Sequence, residues 1–286
     1  MKFETPQTVE QAVALLAADS GARVLAGGTD LLVRLRAGHI APSAIVDIKH
    51  IDGMGEITQE ADGGWRIGAG VPCAAMGEHA GLVADYPGVV EGAELIGSTQ
   101  VQGRCTMVGN LCNAGPAGDS VPALVAAGAM VRVAGPNGTR DVPVIEIPTA
   151  PGKTSLAAGE FVTSVYLPPR GARGGDAYLR FIPRTEMDIA VVGCAVNVIL
   201  EEDGTVACAG VSLGAVAPKV LLVAEAAEAL IGTKCDDTAL AACAAAATAA
   251  ATPIDDKRGT VAFRKDVCGV LARRAAKLAY VRAKGD

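Results

Sequence analysis

The residues best suited to chemistry in this chain are glycines, hydroxyls and carboxylates rather than nucleophiles. Leu25-Ala26-Gly27-Gly28-Thr29-Asp30-Leu31-Leu32 grows out of an apolar run, Arg23 to Ala26, that reads as a buried strand. Two glycines after a strand let backbone approach a ligand closely, because no Cβ intervenes. Successive N–H groups in such a turn form a concave anion site. The stretch reads as a pyrophosphate cradle, although the same pattern also serves as a plain strand-to-helix turn. A second stretch runs from Ser98 to Asp119, far longer than an ordinary connection of about 2–6 residues. Its small apolar residues, hydroxyls and amides are wrong for disorder. Such a loop can wrap a ligand, offering N–H groups to phosphate and the Asp119 carboxylate to sugar hydroxyls.

Other chemistries find little support. The sequence has no Gly-x-Ser-x-Gly, only three histidines (His39, His50, His79), and eight cysteines of which none form a Cys-x-x-Cys pair. No catalytic side chain and no metal ligand is therefore expected, and the cysteines read as scattered reduced thiols. Aromatic residues make up 3% of the chain and the net charge is −6, which argues against stacking on or wrapping nucleic acid. No apolar run approaches the roughly 18 residues of a membrane span. The N-terminus, Met1 to Pro6, lacks a signal peptide's apolar core, so a cytoplasmic protein is expected.

These stretches need elements to position them, and 286 residues allow about two domains. Thr8-Val9-Glu10-Gln11 is a capping box for a helix ending near Gly21. With strands at Arg23–Ala26 and Ser43–Ile48 and a short helix over Leu31–Ala37, it makes a compact opening unit over residues 1–55. A second unit, 56–172, begins with a hairpin turning at Ala61-Asp62-Gly63-Gly64. Helices follow over Cys73–Val83 and Gly88–Ile96, then the long loop from Gly97 to Gly118, a helix over Ala123–Ala127, and strands Met130–Ala134, Arg140–Pro143 and Glu160–Leu167. Arg170 to Gly175 reads as a mobile linker. Beyond it, residues 173–286 carry strands at Tyr178–Ile182, Ala190–Glu201 and Thr205–Leu213. Helices then run over Val220–Leu230, Thr238–Thr252 and Val261–Ala283. Three strands followed by three helices make an α+β layer.

The two loops resemble a known pair of motifs. Ala26 to Leu32 is similar to the first flavin-binding motif of the FAD subunits of molybdenum hydroxylases, the medium subunits of the xanthine dehydrogenase and carbon monoxide dehydrogenase type. Thr106-Met107-Val108-Gly109-Asn110-Leu111, then Pro116 and Asp119, resembles their second motif, Thr-x-Gly-Gly-Asn-Leu followed by Ser-Pro and Asp. Arg184-Thr185-Glu186-Met187-Asp188-Ile189-Ala190 resembles the family's Arg-x-x-x-Asp-Ile-Ala strand. Asp256-Lys257-Arg258-Gly259-Thr260 with Phe263-Arg264 resembles its C-terminal signature. The likeness covers essentially the whole chain. It departs at Val108, where the family has glycine, and at Gly115, where it has serine. A β-branched residue would be strained if that position needs positive φ.

The resemblance implies an α+β fold: a two-subdomain FAD-binding domain of the vanillyl-alcohol-oxidase/PCMH type, then a domain of a three-stranded antiparallel sheet and helices. It implies FAD in this chain. Leu25 through Leu32 would contact it, with Gly27, Gly28 and Thr29 on the pyrophosphate. Thr106, Gly109 and Asn110 would hold the other side, Asp119 the ribitol or ribose hydroxyls, Val162 the isoalloxazine face, and Arg180 the flavin ring edge. Asp188 would serve structural hydrogen bonding. The implied activity is electron transfer within an oxidoreductase complex. A large molybdenum-cofactor subunit would oxidise the substrate and a small subunit with two 2Fe–2S clusters would relay electrons. This chain would pass them to an external acceptor such as NAD, a quinone or dioxygen, in a dimer of heterotrimers. Two other readings stand beside it: a self-contained FAD oxidase, and a non-enzymatic α+β interaction or storage module.

Overall fold

Thr8 opens the first helix. Its hydroxyl accepts the Gln11 N–H at 3.2 Å, while the Gln11 side chain accepts the Gln7 N–H at 2.8 Å. Donors with no intrahelical partner are thereby satisfied locally. The computed structural model describes residues 1–184 and 186–285; Thr185, in the third motif, lies outside the described residues. The first layer comprises β1 (Lys2–Glu4), α1 (Val9–Ala18), β2 (Arg23–Leu25), α2 (Leu31–Arg36) and β3 (Ala44–Asp47). Its sheet is parallel in the order β1-β3-β2. Central β3 is buried at all four residues, as a strand covered on both faces must be. Strand β1 had no signal in the sequence, being three residues long with Phe3 exposed.

The second layer begins with the hairpin β4 (Ile57–Gln59) and β5 (Trp65–Gly68). Next come α3 (Cys73–Gly77), α4 (Ala80–Asp85), α5 (Pro87–Glu94), α6 (Thr99–Gln102), α7 (Met107–Asn113) and α8 (Ser120–Ala126). Strands β6 (Met130–Gly135), β7 (Gly138–Pro143), β8 (Pro148–Ala150), β9 (Lys153–Thr154) and β10 (Phe161–Leu167) follow. The main sheet is antiparallel in the order β4-β5-β10-β6-β7. Two expectations change here. The single helix expected over Cys73–Val83 is two, because His79 starts a new one by accepting the Leu82 N–H at Nδ1, 3.2 Å away. The Gly97–Gly118 loop holds two short helices, α6 and α7.

The third layer is β11 (Gly174–Phe181), β12 (Val192–Leu200), β13 (Val206–Gly214), β14 (Leu221–Leu222), α9 (Ala224–Glu228), α10 (Asp237–Ala250) and α11 (Val261–Ala283). The sheet is antiparallel in chain order. It has four strands rather than three, since Leu221–Leu222 pairs with β13 instead of joining the following helix. Helix α11 lies along β11 and β12, and α8 lies against β12 and β13. Covered this way, β12 is buried almost without alternation.

Residues 170–175 are anchored, not a loose linker. Arg170 pairs with Asp176 at 2.9 Å, both side chains 5% exposed, and its guanidinium sits 4.4 Å over the Tyr86 ring. Asp176 also accepts the Val89 N–H at the start of α5, 3.0 Å away. From α11, Arg282 donates to the Asp176 carbonyl and to Glu91, whose carboxylate also accepts the Tyr178 N–H. Tyr178 and Ala195, from the third layer, belong to the apolar core of the first two. The second core lies between the third sheet and α9 to α11.

Candidate functional site

Strand β2 ends at Leu25, which is buried. The next carbonyl, of Ala26, accepts from Lys49 Nζ at 3.1 Å, and Lys49 is itself paired with Asp47 at 2.6 Å. Gly27 follows. A Cβ there would fall onto the carbonyl of Arg104, deep inside contact distance, and 3.0 Å from the Cys105 Cα. The backbones of the two motifs therefore touch at Gly27, and only a residue without a side chain permits it. Gly28 has φ +78°, and a Cβ there would meet Leu25 Cδ1 at 2.8 Å and Leu32 Cδ1 at 3.1 Å. The pair thus serves differently from the sequence-based reading. Gly27 joins the two motifs and Gly28 makes the left-handed turn into α2; neither Cβ direction is the path of a ligand.

Asp30 heads α2 with helical backbone and makes no side-chain cap. Solvent reaches it, yet the protein packed around its carboxylate raises its pKa, while Arg34 one turn on pulls it back down. None of the residues of α2 is buried.

The second motif is built on α7. Thr106 is its N-cap: the backbone is extended, and Oγ1 accepts the Gly109 N–H at 2.9 Å. The Asn110 N–H goes to the Thr106 carbonyl at 3.0 Å. Val108 sits in the first turn with right-handed helical backbone, buried with Met107 and Leu111. The strain expected of a β-branched residue does not arise, because this position is not a left-handed one. The left-handed residue is Ala114, with φ 51°, which closes the helix. Asn110 Oδ1 accepts from Ser120 Oγ at 2.9 Å, tying α7 to α8.

Asp119 ends this stretch at the junction with the third layer. It accepts from Tyr178 Oη at 2.9 Å and from Arg180 Nη1 at 2.7 Å. Arg180 also donates to the Leu95 carbonyl at 2.8 Å. Burial pushes the Asp119 carboxyl up, and Arg180 and Tyr178 recover only part of that, leaving it at about 6.

Between the two motifs lies a cavity of about 260 Å³. One wall is Ala26, Gly27, Gly28, Thr29, Asp30 and Leu31; the other is Thr106, Gly109 and Asn110; Val162 of β10 closes it. Four expected residues lie off this wall. Leu25 and Leu32 pack around Gly28, and Asp119 and Arg180 pair with each other at the junction. The cavity also takes in residues the sequence reading missed: Arg23, Arg34, Ile96, Cys105, Leu156, Glu160 and Phe161 among them. Arg34 was recoverable, standing one helical turn after Asp30. Leu156 and Glu160 were not, since nothing local marks the segment before β10. A second cavity of about 380 Å³ shares the wall of Arg23, Val24, Leu156 and Glu160, so the two together suit an extended ligand.

The third and fourth motifs meet on the far side of the junction. Asp188 pairs with Arg184 at 3.2 Å and Arg258 at 3.7 Å, and accepts the Ile189 N–H. Asp256 pairs with Arg264 at 2.7 Å, and Arg264 donates to the Val191 carbonyl. Asp188 is thus engaged structurally. The Met187 N–H reaches the Gly97 carbonyl at 3.3 Å, tying this loop to the start of the second stretch. Among the described residues, no group of three or more His, Cys, Asp or Glu side chains is placed to hold a metal ion, and no helix is long and apolar enough to cross a membrane.

Comparison with known proteins gives the same picture along the whole chain. Residues 1–170 match the family model described as the FAD binding domain in molybdopterin dehydrogenase, and residues 177–279 the CO dehydrogenase flavoprotein C-terminal domain. The carbon monoxide dehydrogenase medium chain of Afipia carboxidovorans is 32% identical, the match covering 99% of this chain and 97% of that one. The xanthine dehydrogenase FAD-binding subunit of Escherichia coli O157:H7 is 31% identical, over 70% of this chain and 68% of its own. A chain in the solved carbon monoxide dehydrogenase of Hydrogenophaga pseudoflava, a form lacking the Mo-pyranopterin moiety, superposes with a TM-score of 0.93. It is 31% identical and the match covers 99% of this chain and 98% of that one.

Proposed function

We propose, because this chain belongs to the family of FAD-binding medium subunits of the xanthine dehydrogenase and carbon monoxide dehydrogenase type, that it holds FAD between its two glycine-bearing motifs and serves as the electron-transfer subunit of a molybdenum hydroxylase. The observation that carries the reading is the contact at Gly27. It brings two motifs far apart in sequence onto one cavity, with backbone donors on both sides.

The residues present suit the cofactor. A pyrophosphate carries two negative charges, and the wall offers the N–H groups around Gly28 and Thr29 together with the cations of Arg23 and Arg34. On the second side the Gly109 N–H is already taken by Thr106. The remaining first-turn donors of α7, on Met107 and Val108, have no intrahelical acceptor and are the ones to offer. Thr106, Gly109 and Asn110 fix that turn. Val162, Phe161 and Ile96 give an apolar wall for the flavin ring. Asp119 and Arg180 lie off this wall, so their part in the proposal requires the ribitol and ring edge to extend past it to the junction, where Asp119 keeps lone pairs beyond those used by Tyr178 and Arg180. Arg180 retains guanidinium donors for the ring edge and favours negative charge there.

Bound FAD supplies a carrier that takes up and hands on electrons; the protein's part is to bind it, tune it and expose an edge. No side chain on the cavity wall has to act as nucleophile or general base. The partners that follow are a large molybdenum-cofactor subunit and a small subunit with two 2Fe–2S clusters, assembled as a dimer of heterotrimers in the cytoplasm, with an external electron acceptor.

The test is purification of the chain alone and with its co-expressed partners. The chain alone should be yellow, release one FAD per polypeptide on denaturation, and oxidise no organic substrate. The complex should contain molybdopterin and iron and turn over. A colourless chain that takes up no added FAD would refute the cavity assignment. Substrate turnover by the chain alone would favour a self-contained oxidase.

A further inference from the structure

Two of the eight cysteines stand together on the wall of the same cavity. Cys105, which lines the cavity, lies between Arg104, whose carbonyl abuts Gly27, and Thr106, the cap of α7. Cys73 is the first residue of α3. The Cys73 N–H donates to the Cys105 carbonyl at 2.8 Å. A single main-chain bond of this kind holds two Cα atoms at about the 5–6 Å that a disulfide spans. The two side chains are also close enough to influence each other's ionisation, Cys73 upward and Cys105 downward. All eight thiols are free in the structure, and Cys73 and Cys105 are 0% and 3% exposed. Of the two, only Cys105 belongs to the cavity wall, so the cavity is the side from which a small oxidant would approach.

We propose that Cys73 and Cys105 are a disulfide-forming thiol pair, oxidised by hydrogen peroxide through the cavity and shielded when FAD fills it. The shielding half rests on the function proposed above; the pairing half does not. Cys105 is the sulfur that reacts first, because of the two only Cys105 lines the cavity, and because the neighbouring Cys73 thiol lowers its pKa while that of Cys73 is raised. The Cys105 thiolate attacks peroxide, forming an S–O bond as the O–O bond breaks and hydroxide leaves. The Cys73 sulfur then attacks the sulfenic acid. An S–S bond forms, the S–O bond breaks, and the Cys73 proton leaves with the hydroxyl as water. Two thiols are oxidised by two electrons and one peroxide is reduced. The bond fastens the strand before the Thr106 cap to α3, so it records loss of flavin as a covalent mark beside the cradle.

The full chain, prepared with and without FAD and its occupancy read from flavin absorbance, is treated with hydrogen peroxide, alkylated and mapped by mass spectrometry. The expected result is a linked Cys73–Cys105 peptide pair, two hydrogens lighter than its parts, formed at least about tenfold faster without FAD than with it. Exposed Cys208 serves as the internal control for oxidant. Cys73→Ser should leave a dimedone-trappable sulfenic acid on Cys105, and Cys105→Ser none on Cys73. No linked peptide while Cys208 is oxidised overturns the pair. Equal rates in the two samples overturn the shielding. A chain that shows no flavin absorbance refutes the cofactor assignment, while the flavin-free arm still decides the pair.

Discussion

The two motifs that face each other across the cavity are held in place by opposite means. The first is a surface turn leading into a helix with no buried residue, and its anchors are backbone: Gly27 against Arg104, and the Ala26 carbonyl on Lys49. The second is framed by side chains. Thr106 caps it, Met107, Val108 and Leu111 bury it, Ser120 braces Asn110, and Asp119 bolts its end to Arg180 and Tyr178. A loop with no buried side chains must fix its course through residues whose backbone has special freedom, so its sequence is strict. A loop held by packing can accept valine where the motif it resembles has glycine, provided the backbone there is helical.

The contrast can be broken at the second motif's bolt. Arg180→Met leaves the buried Asp119 without its ion partner, a change that costs about 3–5 kcal/mol. Chemical denaturation should show that loss, with FAD weakened alongside it. An unchanged midpoint would mean the junction does not hold the second motif. Next in size, Gly27→Ala forces the two backbones apart and should cost about 3 kcal/mol and most FAD retention, roughly 100-fold in Kd. Titration with FAD under conditions where circular dichroism reports a folded chain is the measurement. Normal affinity would show that the backbone contact is incidental.

Val108→Gly sharpens the comparison from the other side. Removing a buried side chain and adding helix flexibility should cost about 2 kcal/mol of stability with no gain in FAD affinity. Tighter FAD would show that valine obstructs the cofactor after all. The smallest effect belongs to Thr106→Ala, which removes the cap of α7 and should lower stability by about 1 kcal/mol. The loss of FAD affinity should be smaller than for Gly27→Ala; a larger one would give Thr106 a direct contact with the ligand.

What the sequence showed and what it hid follow the same division. Locally encoded features were readable: the Thr8 box, the strands that pair as β6 and β7, and the long helix from Val261 to Ala283. The pairing of the two motifs was foreseen through the resemblance, not through any local signal. Hidden were properties that depend on distant residues. Gly27 reads as ligand clearance until Arg104 is found against it. Nothing local shows that Asp119 and Arg180 pair with each other. Arg170 reads as linker until Asp176 and Tyr86 are found around it. The helix at α7 was hidden differently: its cap is a plain threonine, and the glycine and asparagine beyond it look like loop.

The approach of Gly27 to Arg104 also bears on the order in which the chain folds. Five helices, α2 through α6, lie between the two residues, and closing so long a segment is entropically disfavoured until most of it is in place. We predict that the contact forms in the last part of folding, after the rate-limiting step. Its disruption should therefore show mainly as faster unfolding: Gly27→Ala should raise the unfolding rate while refolding stays within about twofold of the parent. Flavin, binding across that late contact, would prolong the life of the folded state far more than it speeds the chain's arrival there.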